Sequence, residues 1–293
     1  MYASIRDGSL LHAGYRTIAE GLHDLGLSAV ELDVNRQCAV NALTLPGATF
    51  SLTSETSRKH LKTHLEENSV RVSAFLLANN FNADDLDREV DWCAQAINAA
   101  GDLGIQAVRI DSAMRGEREL SLHTRIERFI GGITRVLDAT GSSGVALGIE
   151  NHGSCSNDRR FLDAVLDGVN SSRLGLTMDT GNFYWYGYPL DEVYEILEHF
   201  APKAKHTHVK NINFPEADRA RQRDPGWKYG EYVCPIPDGD IDVGRVVGFL
   251  KAAGYDGDLC IEDESLGRFS EPERRQVLRR DVECVKRLVV GGR

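Results

Sequence analysis

Short apolar runs alternate with longer amphipathic segments along the whole chain. The runs predict strands at Tyr2–Ile5, Ala29–Val34, Arg71–Ala78, Ala107–Asp111, Val145–Glu150, Leu174–Asp179, Lys205–Lys210 and Asp258–Glu262. Between them the 3.6-residue period predicts helices over Gly14–Leu25, Ser54–Asn68, Leu86–Leu103, Leu120–Thr140, Arg159–Leu166, Leu190–Phe200 and Val243–Ala253. A last helix, Glu271–Val289, closes the chain. Strict alternation of strand and helix implies a parallel sheet with helices packed outside it.

Two architectures fit that alternation. An open doubly wound sheet would carry a Gly-rich phosphate loop after its first strand, and none is present. A closed barrel instead gathers polar residues at the C-terminal ends of its strands. Asp33, Asn79, Asn80, Asp111, Glu150, Asn151, Asp179, Asn182, His208, Lys210, Glu262 and Glu264 all fall there. The expected fold is a single (β/α)₈ TIM barrel spanning residues 1–293. One segment breaks the spacing: Asn211–Asp240, polar and rich in Pro and Gly, forms a long insertion after strand 7. Its Trp227, Tyr229 and Tyr232 favour a folded cover over the barrel mouth.

Composition narrows the partners. The net charge of −10 argues against nucleic acid, which demands a surplus of Lys and Arg on one face. Six cysteines are scattered without paired spacing, no secretory signal pattern opens the chain, and no apolar run approaches a membrane span. A reduced cytoplasmic protein acting on a small molecule is expected, and a homo-oligomer is compatible with that.

The candidate chemistry lies at four strand ends, ALGIE, GLTMD, KHTHV and LCIED. Alternation puts Gly148 with Glu150, Thr177 with Asp179, His206 with His208 and Cys260 with Glu262 on the same faces. Taken singly, each has an ordinary structural reading as an ion-pair partner, helix cap or core histidine. Together, three carboxylates and an imidazole converging on one rim need a cation, because an unpaired buried charge costs several kcal/mol. Near in sequence only Lys205 and Lys210 could supply it, so a divalent metal on Glu150, Asp179, His208 and Glu262 is the expectation. Three oxygens and one nitrogen without thiolate favour Mn²⁺ or Mg²⁺, and are compatible with Co²⁺ or Zn²⁺. Two coordination positions would remain for a substrate carbonyl and its neighbouring hydroxyl.

The segments GIENHGSCSND, LGLTMDTGNFY, KHTHVKN and IPDGDIDVGRVVGFLKAAGYDGDLCIEDES resemble the xylose isomerase-like barrel superfamily, also called sugar phosphate isomerase/epimerase. The resemblance implies the same four metal ligands and a sugar or keto-sugar substrate. It further implies an isomerase or epimerase in which Glu150 and Glu262 move a proton beside a polarised carbonyl. The ketose 3-epimerases carry His three residues after the Asp ligand, where this chain has Asn182. A second reading follows from E-N-H-G together with D-x-G-N-F: a lyase or dehydratase performing β-elimination on a keto-sugar or keto-cyclitol. There His152 is the base and Lys210 the acid or enolate stabiliser. His206, Asn182, Glu264 and Asp111 are expected to line the substrate pocket, with Arg109 a weaker candidate. An endonuclease IV-like repair hydrolase would need more strand-end histidines than are present, and a binding barrel without chemistry would not need the ligand set.

Overall fold

The computed structural model describes residues 1–291. Eight parallel strands form its sheet: β1 (Tyr2–Arg6), β2 (Ala29–Asp33), β3 (Arg71–Leu77), β4 (Ala107–Ile110), β5 (Ala146–Glu150), β6 (Leu174–Asp179), β7 (Ala204–His208) and β8 (Asp258–Ile261). From β1 to β7 each pairs with the next, and β8 pairs back onto β1 from Tyr2↔Asp258 to Ile5↔Ile261. The seam between β7 and β8 is closed by a parallel bridge, Val209↔Ile261, whose backbone bonds run Val209 N to Cys260 O at 2.7 Å and Glu262 N to Val209 O at 3.1 Å. The sheet is therefore a nearly closed barrel.

Helices α1 (Ile18–Leu25), α2 (Glu55–Glu67), α3 (Leu86–Asp102), α4 (Leu122–Ala139), α5 (Arg159–Val169), α6 (Leu190–Phe200), α7 (Val243–Ala252) and α8 (Glu271–Val290) surround it. Local chemistry starts most of them at a defined residue. Thr17, Ser54, Asp85, Ser121, Asp158 and Asp242 each accept a hydrogen bond from a first-turn backbone N–H, and Ser270 with Glu273 forms a capping box on α8. The core lies between the barrel's outer face and the apolar stripes of these helices, with Phe75, Phe129, Phe161 and Leu278 among its fully buried members.

The polar periodicity did not announce three short additions. A helix, Asp7–His12, follows β1 directly; a hairpin pairs Ala39–Asn41 with Thr49–Ser51 after β2; and a helix over Asn182–Tyr186 follows β6. Each is shorter than a pattern of hydrophobic spacing can resolve. The segment after β7 is folded. Asn211–Ile212 pairs with Val233–Cys234, and Phe214, Trp227 and Tyr232 pack ring against ring. Arg223 lies against Tyr184 and Phe214 at 4.6 and 4.3 Å. Tyr229 donates its hydroxyl proton to Glu264, which tethers the segment to the barrel mouth.

The inward positions need small residues beneath the site. A Cβ on Gly148 would lie 2.4 Å from Thr177 Oγ1 and 2.7 Å from Thr177 N on the neighbouring strand. The second contact is with backbone and cannot rotate away. Gly148→Ala is therefore expected to destabilise the fold by about 1–3 kcal/mol, seen as a lower urea midpoint with unchanged slope; an unchanged midpoint would mean that β5 and β6 separate freely at this level.

Candidate metal centre

Glu150, Asp179 and His208 end β5, β6 and β7, and Glu262 follows β8. The structure brings one ligand atom from each within 4.8 Å of the others, with all four side chains buried. The register explains the convergence, since Asp179 is the partner of His208 and Glu150 pairs one step below with Thr177. Side chains at the last inward position of adjacent strands must meet across the barrel mouth.

Side-chain brackets extend the sheet past the strand ends and hold the ligand carriers. Asn151 Nδ2 donates to Asp179 O at 3.0 Å while its Oδ1 accepts from Asp179 N at 2.8 Å. Asn79 brackets Asp111 in the same way at 2.9 and 2.7 Å. Thr180 Oγ1 donates to Lys210 O at 2.7 Å and accepts from Lys210 N at 3.1 Å. Asn79 and Asn151 thus carry structure rather than chemistry.

The charge balance differs from the sequence expectation that only nearby lysines compete with a metal. Two arginines distant in sequence reach the carboxylates: Arg109 from β4 pairs with Glu150, and Arg6 from β1 pairs with Glu262. Lys210 Nζ lies 3.3 Å from Asp179 Oδ2, 3.2 Å from Glu262 Oε2 and 3.0 Å from Glu264 Oε1. Lys205, the other lysine close in sequence, instead donates to Ser172 O at 3.0 Å. Burial alone would raise Glu150 and Glu262, but Arg109 and His208 hold Glu150, and Lys210, His208 and Arg6 hold Glu262, well below the usual carboxylate range.

Asp179 is the exception: burial, with Glu262 and Glu150 beside it, pushes its carboxyl up to about 7 despite Lys210. Its Oδ1 accepts from Gly181 N at 2.8 Å and Asn182 N at 2.7 Å, whereas among the described residues its fully buried Oδ2 accepts no hydrogen bond and has only the Lys210 ammonium beside it, at 3.3 Å. His208 Nδ1 is likewise buried without a hydrogen-bond partner, 3.3 Å from Glu150 Oε1 and 3.4 Å from Glu262 Oε2. Unpartnered buried polar atoms are uncommon and costly. Two of them, facing two ionised carboxylates in an O₃N donor set, fit a divalent cation, and no thiolate enters the set.

The remaining predicted residues separate into three groups. Asn182 Nδ2 donates to Glu150 Oε1 at 3.1 Å, bracing that carboxylate, and Glu264 sits half-exposed between Lys210 and Tyr229. His152 lies just past β5 with its side chain partly exposed, and its Nδ1 is 3.2 Å from Asp111 Oδ1. That hydrogen bond raises the His152 pKa above the ordinary imidazole value, against the effect of burial. Asp111 also pairs with Arg109 at 3.2 Å, so it is a partner of other side chains rather than an open hydroxyl acceptor. His206 is fully buried beneath the centre with both ring nitrogens on carboxylates, Asp258 at 2.8 Å and Glu31 at 2.9 Å, and neither nitrogen is open to a substrate.

Arg6 and Glu31 escaped the sequence reading. Glu31 interrupts the apolar run A-V-E-L-D at an inward parity, the one signal that could have marked it. A cavity of 590 Å³ opens at the N-terminal face, lined by Tyr2, Arg71, Gln106, Lys205 and Tyr255 among others. It is remote from the ionisable cluster, and barrel chemistry sits at the opposite face.

The family described as xylose isomerase-like TIM barrel matches residues 20–288. Among curated proteins, inosose dehydratase of Geobacillus thermodenitrificans is 24% identical over 148 residues, covering 49% of this chain and 48% of that relative. The chain thus matches about half the length of such relatives. A crystal structure of IOLI protein with a binding zinc atom superposes with a TM-score of 0.73 at 16% identity, covering 98% of both chains. D-psicose 3-epimerase with D-tagatose from Clostridium cellulolyticum H10 superposes at 0.69 with 13% identity, covering 99% of both. At such identities the superpositions speak for the fold.

Two protonated groups stand where a cation would bind, since burial fails to keep His208 neutral against Glu31, Glu262 and Glu150 and its pKa rises well above 6.5. Metal uptake must therefore expel protons, and affinity should strengthen as pH rises through about 7, where Asp179 ionises. Calorimetry in buffers of different ionisation enthalpy should show net proton release below that pH, and Glu262→Gln should abolish stoichiometric uptake; binding indifferent to pH between 5 and 7 (roughly the range below the Asp179 pKa, where its proton must be displaced) would contradict this balance.

Proposed function

The chain belongs to the xylose isomerase-like TIM barrel family, and we propose that it is a metal-dependent lyase that eliminates a β-hydroxyl or β-substituent from a keto-sugar or keto-cyclitol. The comparisons support the coarser class, a sugar isomerase/epimerase or dehydratase. The observation that carries the finer choice is the His152–Asp111 pair. Asp111 holds Nδ1, and among the described residues Nε2 makes no hydrogen bond, so the ring is oriented with one nitrogen free.

Glu150, Asp179, His208 and Glu262 would hold the ion, which when bound would polarise the substrate carbonyl and acidify the adjacent C–H. His152 Nε2 takes that proton, and the C–H electron pair moves into the carbon–carbon bond of the enolate. As the carbonyl re-forms, the β C–O bond breaks, and the leaving oxygen takes a proton from the Lys210 ammonium. For a hydroxyl leaving group the balance is loss of one water. Lys210 is buried among Asp179, Glu262 and Glu264, which keep it an ammonium; its raised pKa makes it a weak acid, so its positive charge suits stabilising the enolate as well as delivering that proton. The two glutamates suit the alternative, proton transfer by epimerisation, less well. Arg109 and Arg6 hold them ionised, which lowers their strength as bases, and the titratable His that the 3-epimerases carry after the Asp ligand is here Asn182.

Proton NMR in D₂O with candidate keto-sugars and keto-cyclitols separates the readings. A lyase yields an enone or enol with a hydroxyl or substituent lost, and His152→Ala should lower its rate by about 10²-fold or more. Deuterium entering a carbon of an otherwise intact skeleton, at a rate indifferent to His152→Ala, would establish the epimerase instead.

A further inference from the structure

Directly beneath the candidate metal centre lies a line of three ionisable side chains, Asp258, His206 and Glu31, that ends on His208 and that the proposed elimination does not use. Asp258, at the start of β8, contacts His206 Nδ1 at 2.8 Å. His206 Nε2 contacts Glu31 Oε1 at 2.9 Å. Glu31 Oε2 lies 2.9 Å from His208 Nε2, and Oε1 lies 3.1 Å from the same nitrogen. Glu31, His206 and His208 have no exposed surface. The line runs from the barrel floor to the ligand histidine.

Glu31 decides where protons sit in this line. Its carboxylate faces two imidazole nitrogens at once, His206 Nε2 at 2.9 Å and His208 Nε2 at 2.9 Å. An ionised carboxylate only accepts hydrogen bonds, so each nitrogen facing it must carry a proton. His208 Nε2 is therefore N–H, and when the ring is neutral its lone pair is on Nδ1. That atom is the one without a hydrogen-bond partner, and it points between Glu150 and Glu262. Glu31 is not held by chance contact. His206, clamped on its far side by Asp258, is a second donor that keeps the carboxylate from turning, and Arg6 Nε stands 3.6 Å away.

We propose that Glu31 is a positioning residue, fixing the tautomer and ring orientation that present His208 Nδ1 to the metal, with His206 and Asp258 locking Glu31 in place. The proposal rests on the reading of Glu150, Asp179, His208 and Glu262 as a metal centre. The same atoms admit another arrangement, since Glu31, His206, His208 and Cys260 also lie close enough to surround an ion. That lower cluster differs from the upper one in a decisive way. The carboxylate oxygens of Glu31 and both nitrogens of His206 are already hydrogen-bonded to one another or to Asp258, so an ion there would have to break bonds that are complete.

The test uses metal-free full-length protein titrated with zinc against a chromophoric chelator, with melting curves confirming that each variant folds. Wild type is expected to bind one zinc per chain. Glu31→Gln places an amide N–H₂ against one of two N–H donors and should weaken zinc binding by about 10–100-fold. Glu31→Asp keeps the charge and should recover part of the loss. On zinc-loaded wild type labelled with ¹⁵N-histidine, His208 should show a metallated Nδ1 and a protonated Nε2. Unchanged affinity in a folded Glu31→Gln, coordination through Nε2, or two zinc ions per chain would overturn the proposal. If Glu31→Gln does not fold, Glu31→Asp and the wild-type nitrogen spectrum decide alone. A wild type that takes up no zinc, manganese or magnesium would instead remove the metal centre itself.

Discussion

The mouth of this barrel is organised by one electrostatic constraint: Glu150, Asp179 and Glu262 are buried within a few ångströms of one another and cannot all be charged without compensation. The protein answers with cations from three directions. Arg109 takes Glu150, Arg6 takes Glu262, and Lys210 spans Glu262 and Asp179. This leaves Asp179 as the carboxyl least able to ionise by protein charges alone, and its Oδ2 meets the Lys210 charge without a hydrogen bond. The deficit of positive charge is therefore local, and it coincides with the lone nitrogen of His208.

Holding those groups still is a separate problem, solved by backbone rather than charge. Past the strand ends the sheet ladder stops, and amide or hydroxyl side chains replace it at Asn79, Asn151 and Thr180. The seam through Val209 does the same for Glu262. The insertion after β7 joins the arrangement through Tyr229 and Glu264 to Lys210, so the lysine is placed by the barrel wall and by the cover together. A site so braced is pre-organised, and little of the binding free energy of a substrate need go into ordering it.

The same bracing separates chemistry that is similar in outline. A pair of glutamates pinned by arginines makes good ligands and poor bases, whereas His152 stands at the rim, oriented by Asp111 and partly open to solvent. Asn182 contributes a hydrogen bond to Glu150 and no titratable group. On the reading proposed above, coordination falls to the strand ends and proton movement to the loops, an arrangement that barrels permit because loops vary while the strand ends stay.

Much of this was legible in the chain itself. Alternating apolar runs and amphipathic segments determined eight strands, eight helices and their order, because strand and helix periods are properties of local geometry. The strand-end motifs ALGIE, GLTMD, KHTHV and LCIED were enough to bring Glu150, Asp179, His208 and Glu262 to one rim, since equal position on parallel strands means equal height in a barrel. Only the tertiary structure decided what surrounds them. Arg6, Glu31 and Arg109 act on residues 256, 177 and 41 positions away, and no spacing rule reaches across a barrel axis. His206 and His208 read alike in sequence; their difference, one a floor residue locked by two carboxylates and the other a candidate ligand whose Nδ1 makes no hydrogen bond among the described residues, is set by which layer of the barrel each occupies.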